Sequence, residues 1–420
     1  MKIHSLLDYN LKNKTALIRV DYNVPLIEKN GQKLVSDPRR IISSYDTIEK
    51  LLTNNNKIIL LSHLGRPTPS TQRQFSLLPI FNYLQKNKSW QLVFIPDYLN
   101  QEKTQKIIKD APAKTVFLFE NLRYHPEEKS NDKKFVKLLA SYGDFFVNDA
   151  FSTSHRGHAS VYGLAQALPS FAGLALLSEV KAFTNLLDKP RRPFIVVVGG
   201  AKISDKINPI VNLAKIADAI LIGGGVANNF LKAVGIAVQK SYLQDVPADL
   251  KKQGLNYVSV ADQIILDNLN QRLLKDNYIP LPKIIYPVDV IAAPSFDATK
   301  GRVIELTSNE QISNRGNLMY LDIGPKTTKL YKELIIQAET VFWNGPMGIY
   351  EKKTFAQGTK EIARAVAKTS GVTVVGGGDT IAALDKFGYY QSIDYVSMAG
   401  SAALEFLSGK KLPALAVLEK

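Results

Sequence analysis

FIVVVGGAKISDK, residues 194–206, decides the architecture. Five apolar residues, four of them β-branched, run without a polar break, and the run then stops at Gly199-Gly200-Ala201-Lys202. A near-continuous apolar run of this length is what a parallel strand covered on both faces requires. The change to glycine and lysine marks the strand's carboxyl end, where open α/β sheets bind their ligands. The same figure recurs along the chain. ALIRV precedes Asp21, IILLS precedes His63, VFLF precedes Glu120 and FFV precedes Asn148. AILI precedes Gly223, TVFW precedes Asn344 and VTVV precedes Gly376. Segments such as SSYDTIEKLLTN and KKFVKLLASY lie between them, with apolar residues at three- and four-residue spacing. Strand alternating with helix predicts an α/β protein with parallel sheets.

The chain has 420 residues, 45% of them hydrophobic, which suits two domains that each bury a core. It has no cysteine, so it carries no disulfide framework and no thiolate chemistry, in keeping with a cytoplasmic setting. The start, MKIHSLLDYNLKNK, lacks the apolar core of a signal peptide, and no run of about 18 apolar residues predicts a membrane span. Net charge is +15, from 53 basic and 38 acidic residues, which reads either as a solvated lysine-rich surface or as a field for anionic partners.

The two halves carry different chemistry at their strand ends. In the first, Arg19-Val20-Asp21-Tyr22-Asn23, Asp37-Pro38-Arg39-Arg40, His63-Leu64-Gly65-Arg66, Arg123-Tyr124-His125 and His155-Arg156-Gly157-His158 follow apolar runs or adjoin them. A guanidinium grips phosphate or carboxylate with two parallel hydrogen bonds. Arg40, Arg66, Arg123 and Arg156 together predict a cage for a small, highly charged acid, where each alone would read as a surface residue. His63 and His158 read as donors to that anion, and His125 and His155 as structural. No compact set of Cys, His and carboxylates predicts a metal site held by protein alone.

In the second half Gly199-Gly200, Gly223-Gly224-Gly225, Gly345-Pro346-Met347-Gly348 and Gly376-Gly377-Gly378 recur at strand ends. Glycine lets backbone approach a ligand, and a helix N-terminus favours phosphate. None of them is a Walker A loop or a G-x-G-x-x-G fingerprint. Asp379 has two readings here, a helix N-cap or an anchor for the magnesium that accompanies nucleotide phosphates. Between the halves, GLALLSEVKAFTNLLDK (173–189) is a helix ended by KPRRP and read as the connection between two domains.

Taken in order, RVDYNVP, SHLGRP, ENLRYH, NDAFSTSHRGH, GGAKISDK, IGGGVANNFLK, LDIGPKT, FWNGPMGIYE and GGGDT resemble phosphoglycerate kinase over nearly the whole chain. The resemblance implies two Rossmann-like three-layer (αβα) domains joined by a hinge helix. It implies a 3-phosphoglycerate-binding domain at 1–172, the linking helix at 173–189, a nucleotide-binding domain at 190–395 and a C-terminal segment, 396–420, returning to the first domain. It also implies reversible phosphoryl transfer between 1,3-bisphosphoglycerate and ADP, with Mg²⁺ as the nucleotide's companion, by a monomer. Asp21, Asn23, Arg40, His63, Arg66, Arg123, Arg156 and His158 would take the acid substrate. Arg40 and Lys202 would be catalytic. Gly200, Ala201, Lys202, Lys206, Gly224, Gly225, Asn344, Pro346, Gly348, Glu351, Gly376, Gly377, Gly378, Asp379 and Thr380 would hold the nucleotide, with Asp379 at the metal. Arg40 is preferred to Arg39 because the family arginine precedes the isoleucine. A site divided between two domains implies closure on binding both substrates.

Residues 397–403 depart from the family, which has Ser-Thr and a glycine run where this chain has Ser-Met-Ala-Gly-Ser-Ala-Ala. Ala399 and Ser401 enter positive φ less freely than glycine, which predicts an altered resting domain angle or slower closure with the reaction class unchanged. Asn228-Asn229 before Phe230 is a smaller departure in the nucleotide half. A two-domain dehydrogenase and a basic nucleic-acid-binding protein are the competing readings. The missing dinucleotide fingerprint argues against the first, and the lack of a nucleic-acid motif argues against the second.

Overall fold

A computed structural model describes residues 2–246, 251, 254, 256–269, 272–273, 281–306 and 317–420. The chain divides into unit 1, Met1–Lys181 with Lys411–Lys420, and unit 2, Ala182–Lys410.

Unit 1 is built on six parallel strands: β1 (Thr15–Arg19), β2 (Lys57–Leu61), β3 (Gln91–Ile95), β4 (Thr115–Phe119), β5 (Phe145–Asn148) and β6 (Ser170–Ala172), in the order β3-β4-β2-β1-β5-β6. Alternation along each strand sorts its side chains between two cores. Ile18, Ile58 and Leu60 pack with Ile48 and Leu51 of helix Tyr45–Thr53 and with Ile80 and Leu84 of helix Leu78–Asn87. Leu17, Ile59 and Leu61 face the other way, toward Ile108 of helix Gln101–Asp110 and Phe135 and Leu139 of helix Lys133–Ala140. Two covered faces explain why these strands read as unbroken apolar runs. β1 is where the strand order reverses, so the loop after it opens at the switch point.

Unit 2 repeats the plan with β7 (Phe194–Val198), β8 (Ala219–Ile222), β9 (Ile284–Ile285), and, after an inserted sheet, β13 (Thr340–Asn344), β14 (Val372–Gly376) and β15 (Tyr395–Ser397). Their order is β9-β8-β7-β13-β14-β15, all parallel. The inserted sheet is antiparallel and was not expected. It consists of β10 (Asp289–Ala293), β11 (Arg302–Glu305) and β12 (Met319–Ile323), in the order β11-β10-β12. β7 is the switch-point strand, and Gly199 follows it directly.

Helix Leu174–Asp188 begins in unit 1 under an unusual cap. Buried Asp149 accepts the Ala175 N–H (2.9 Å) and the Leu176 N–H (3.3 Å) at Oδ1, while Thr47 Oγ1 accepts the Leu174 N–H (2.8 Å). Asp149 Oδ2 has no hydrogen bond, and burial pushes the carboxyl up to about 7.

The return to unit 1 begins at Lys411, not at 396, because β15 is an edge strand of the second sheet and helix Ser401–Leu407 packs on helix Ile207–Leu213. Within unit 1 the two ends of the chain meet. The His4 N–H donates to Leu418 O (2.9 Å), the Lys420 N–H to Lys2 O (3.0 Å), and Lys420 Nζ to Asp8 (2.7 Å). In the 397–403 stretch only Gly400 has positive φ (+57°). Ala399 and Ser401 lie outside the left-handed region, so the backbone strain expected of them is absent.

Candidate active site

Unit 1 gathers its polar strand ends into one hydrogen-bonded array. Arg40 Nη1 donates to Asp21 Oδ2 (2.6 Å), which also accepts from Ser152 Oγ (2.6 Å). Asn23 Oδ1 accepts the Gly65 N–H (2.9 Å), and Gly65 O accepts Arg123 Nη1 (2.6 Å). Arg39 turns instead to Asp37. Arg156 stands half-buried beside His155 Nε2 (3.1 Å), and Arg66 is exposed with no hydrogen bond or ion pair among the described residues.

Beneath this array lies a buried network that sequence reasoning did not assign. Arg19 is 1% exposed at the end of β1. Its Nε donates to Ser160 Oγ (2.9 Å), its Nη1 to Val20 O, and its Nη2 bonds His63 Nδ1 (2.9 Å). Ser160 passes the contact on, giving its O–H to Glu128 Oε1 (2.6 Å) and its N–H to Oε2 (3.0 Å). A guanidinium can only donate, so His63 Nδ1 carries the lone pair and the ring proton sits on Nε2. Burial and then the cations Arg19, Arg123, Arg156 and Arg40 hold His63 well below the ordinary imidazole range, so at neutral pH it is an uncharged N–H donor. Burial with Arg156, Arg19 and Arg123 pushes His158 down to about 4. Its Nδ1 lies 3.8 Å from Glu128 Oε1, and between a neutral ring and a carboxylate this is a weak polar contact, not an ion pair. Burial and neighbouring arginines bring Arg123 down to about 10, still charged at neutral pH. His125 packs on Tyr98 and Phe135, as a structural ring would. An arginine closing an apolar strand was the one sequence signal for this network, since Ser160 and Glu128 lie over 100 residues from it.

In unit 2 the glycine loops turn out to bind one another. The Gly199 N–H donates to Asn344 O (3.0 Å), the Gly200 N–H to Pro346 O (2.7 Å) and the Gly224 N–H to Met347 O (3.0 Å). A Cβ on Gly199 would sit 2.2 Å from Pro346 O, and one on Gly345, at φ +97°, would sit 2.2 Å from Gly199 O. These glycines are required for backbone-on-backbone packing. Gly378 differs: nothing lies within 4 Å of its would-be Cβ, and it opens helix Gly378–Phe387, whose first-turn N–H groups have no intrahelical partner. Gly377 is that helix's N-cap, so Asp379 is not the cap. It stands exposed in the first turn, while Thr380 Oγ1 accepts the Gly345 N–H (2.7 Å). Lys206 donates to Asn344 Oδ1, and Asn344 Nδ2 donates to Gly376 O (2.8 Å). Burial brings Lys206 down to about 8, with Asp205 and Asp379 opposing. Helix Ile207–Leu213 starts after Lys206, because residues 204–206 form a turn first. Lys202 is exposed just before that turn, with no hydrogen bond or ion pair among the described residues.

A cavity of about 370 Å³ opens beside these loops. Gly200, Ala201, Gly224, Gly225, Pro346 and Gly348 form its glycine-rich side. Leu231, Val290, Phe296 and Met319 give it an apolar wall, and exposed Glu351 and Asp379 also line it. Asp322 lies in the wall, unforeseen from sequence, accepting the Ile323 N–H (2.9 Å) and the Gly358 N–H (2.7 Å). Burial pushes it up to about 8. A Cβ on Gly348 would meet Asp322 Oδ1 at 2.3 Å, which explains glycine there.

A family model described as phosphoglycerate kinase matches residues 6–410. The chain belongs to the phosphoglycerate kinase family. The Pseudothermotoga lettingae phosphoglycerate kinase is 40% identical over 415 residues, covering 99% of this chain and 98% of the relative. The Moorella thermoacetica phosphoglycerate kinase is 40% identical over 414 residues, with 99% and 98% covered. Among solved structures, phosphoglycerate kinase from Coxiella burnetii superposes with a TM-score of 0.81 at 36% identity, covering 99% of this chain and 98% of that one. The Pyrococcus horikoshii phosphoglycerate kinase gives 0.79 at 30%, with the same coverage. The chain is a phosphotransferase that uses a nucleotide and a carboxyl acceptor. The dehydrogenase and nucleic-acid readings find no support in these likenesses. Among the described residues no helix is long and apolar enough to cross a membrane.

Proposed function

We propose that the arginine-rich end of unit 1 binds 3-phosphoglycerate or 1,3-bisphosphoglycerate, and that the glycine loops and cavity of unit 2 bind ATP or ADP. The array that joins Asp21, Asn23, Arg40, Gly65 and Arg123 above a neutral His63 carries this reading. Arg66, Arg123 and Arg156, which have no carboxylate partner among the described residues, together with an N–H donor suit a ligand with two anionic ends. Arg66, Arg156 and His158 complete the set, and Asp21 and Asn23 orient the acid's hydroxyl. The acceptor carboxylate, with a pKa of roughly 4, is already ionised and needs no base. Catalysis is then positioning and charge stabilisation. Arg40 answers the charge of the acid, and exposed Lys202 answers that of the phosphoryl group leaving the nucleotide. Lys206, Asn344, Glu351 and the Gly376–Thr380 turn hold the nucleotide's polar parts.

Magnesium suits this donor set. Among the described residues no three His, Cys, Asp or Glu cluster as a protein-made metal site. A cation that arrives on phosphates needs one or two carboxylates, and Asp379 supplies one at a helix start. Such an ion would neutralise charge on the phosphate oxygens. We place the enzyme in the cytoplasm, in keeping with its lack of cysteine, and as a monomer by its family likeness.

The test is a coupled assay with ATP, Mg²⁺ and 3-phosphoglycerate, trapping the acyl phosphate. Arg40→Ala and Lys202→Ala are each expected to lower kcat by roughly 100-fold or more. Full activity in either variant would remove that residue from the mechanism.

A further inference from the structure

The cavity in unit 2 has few polar side chains in its wall, and nearly all of their hydrogen-bonding groups are committed. Tyr320 Oη donates to Ala237 O (2.9 Å). Both oxygens of Asp322 accept backbone N–H groups. Tyr242, Glu351 and Asp379 are exposed to solvent. The exception is Asn228, on helix Gly224–Ala233, which is 2% exposed and lines the cavity. Its Nδ2 donates to Tyr242 O (3.0 Å). A carbonyl can only accept, so the amide cannot flip, and Oδ1 is fixed as the acceptor left to the cavity.

We infer that Asn228 is a specificity-determining residue that reads the amino group at position 6 of adenine, and that the enzyme thereby prefers ATP to nucleotides with a 6-oxo purine. This rests on the reading of the cavity as the place where the nucleotide's base sits. Adenine presents an N–H donor at position 6, which completes the Asn228 amide. Hypoxanthine and guanine present a carbonyl there, so two acceptors would face each other away from water, with neither satisfied. A site built to pair with a donor rejects the analogue that lacks it far more strongly than an apolar wall could. The rest of the wall, Leu231, Val290, Phe296 and Met319, grips any purine face alike.

ATP and ITP differ at this edge alone, so they are the probes. The measurement is kcat/KM for each nucleotide in the wild type, in Asn228→Ala and in Phe296→Ala. Phe296 is 48% exposed, so its truncation removes wall area without opening the core. The wild type is expected to favour ATP by on the order of 10- to 100-fold. Asn228→Ala is expected to bring the ratio near one by raising KM for ATP, with KM for 3-phosphoglycerate unchanged. Phe296→Ala is expected to raise KM for both nucleotides and leave the ratio intact. The ratio is independent of how much enzyme folds, so a poorly folding Asn228 variant still reports. A wild-type ratio near one, or an unchanged ratio in Asn228→Ala while Phe296→Ala weakens both nucleotides, overturns the role of Asn228 and leaves the base site standing. If neither variant changes either nucleotide's KM, the base site itself fails and this inference with it.

Discussion

Asp149 gives the structure's sharpest prediction about pH. Its carboxyl caps helix Leu174–Asp188 from a fully buried position, with one oxygen unbonded, and burial raises it to about 7. In the unfolded chain the same group ionises near roughly 3.9. The native state therefore holds a proton that the unfolded state has lost throughout that window. Stability from this group is full below about 4 and declines as pH rises toward 7. The whole shift corresponds to roughly 4 kcal/mol, of which about 2–3 kcal/mol falls between pH 5 and pH 8. Asp149→Asn keeps an acceptor for the Ala175 and Leu176 N–H groups and carries no charge at any pH. Urea unfolding of both proteins at pH 5, 6, 7 and 8 gives the difference in unfolding free energy, in which other titrating groups such as Asp322 cancel. The wild type should lose about 2–3 kcal/mol relative to the variant across that range. A difference that stays flat to within about 0.5 kcal/mol would show that Asp149 is ionised in the native protein throughout, and the burial argument would be wrong.

Three further substitutions separate packing from function. Ser160→Ala leaves Arg19 Nε and Glu128 Oε1 each short of a buried partner. It should cost about 2–4 kcal/mol by urea unfolding, and a loss under roughly 1 kcal/mol would contradict the network. Gly345→Ala forces a Cβ against Gly199 O at positive φ and should destabilise by more than about 2 kcal/mol. Gly378→Ala, with open space at a helix start, should leave the melting temperature intact yet raise KM for ATP. Loss of stability in the second of this pair, or none in the first, would reverse the roles assigned to them.

The parallel strands were legible because each is covered twice and so reads as an unbroken apolar run. Gln91–Ile95 escaped because its side chains are mostly half-exposed at a sheet edge, and Ser170–Ala172 and Tyr395–Ser397 because they are short. The antiparallel sheet was hidden because Arg302–Glu305 is largely exposed, so no sustained apolar run marks it. In the site, charged residues at strand ends announced themselves. Their supports did not: Arg19, Glu128 and Ser160 meet only through topology, and Asp322 sits inside an apolar run that looks like any other strand. The glycines were noticed for closeness to a ligand, whereas several of them serve closeness to each other.

The meeting of Lys2–Asp8 with Leu418–Lys420 has a consequence for biosynthesis. Unit 1 is started first and finished last. At about 5–20 residues per second, the ribosome spends on the order of 10–50 s making Ala182–Lys410 before the closing segment emerges. When that interval ends unit 2 has its whole sequence, while the first-made unit still waits with one edge of its fold unfilled. The order of completion is thus the reverse of the order of synthesis, and a chain released a few residues early loses its oldest part, not its newest.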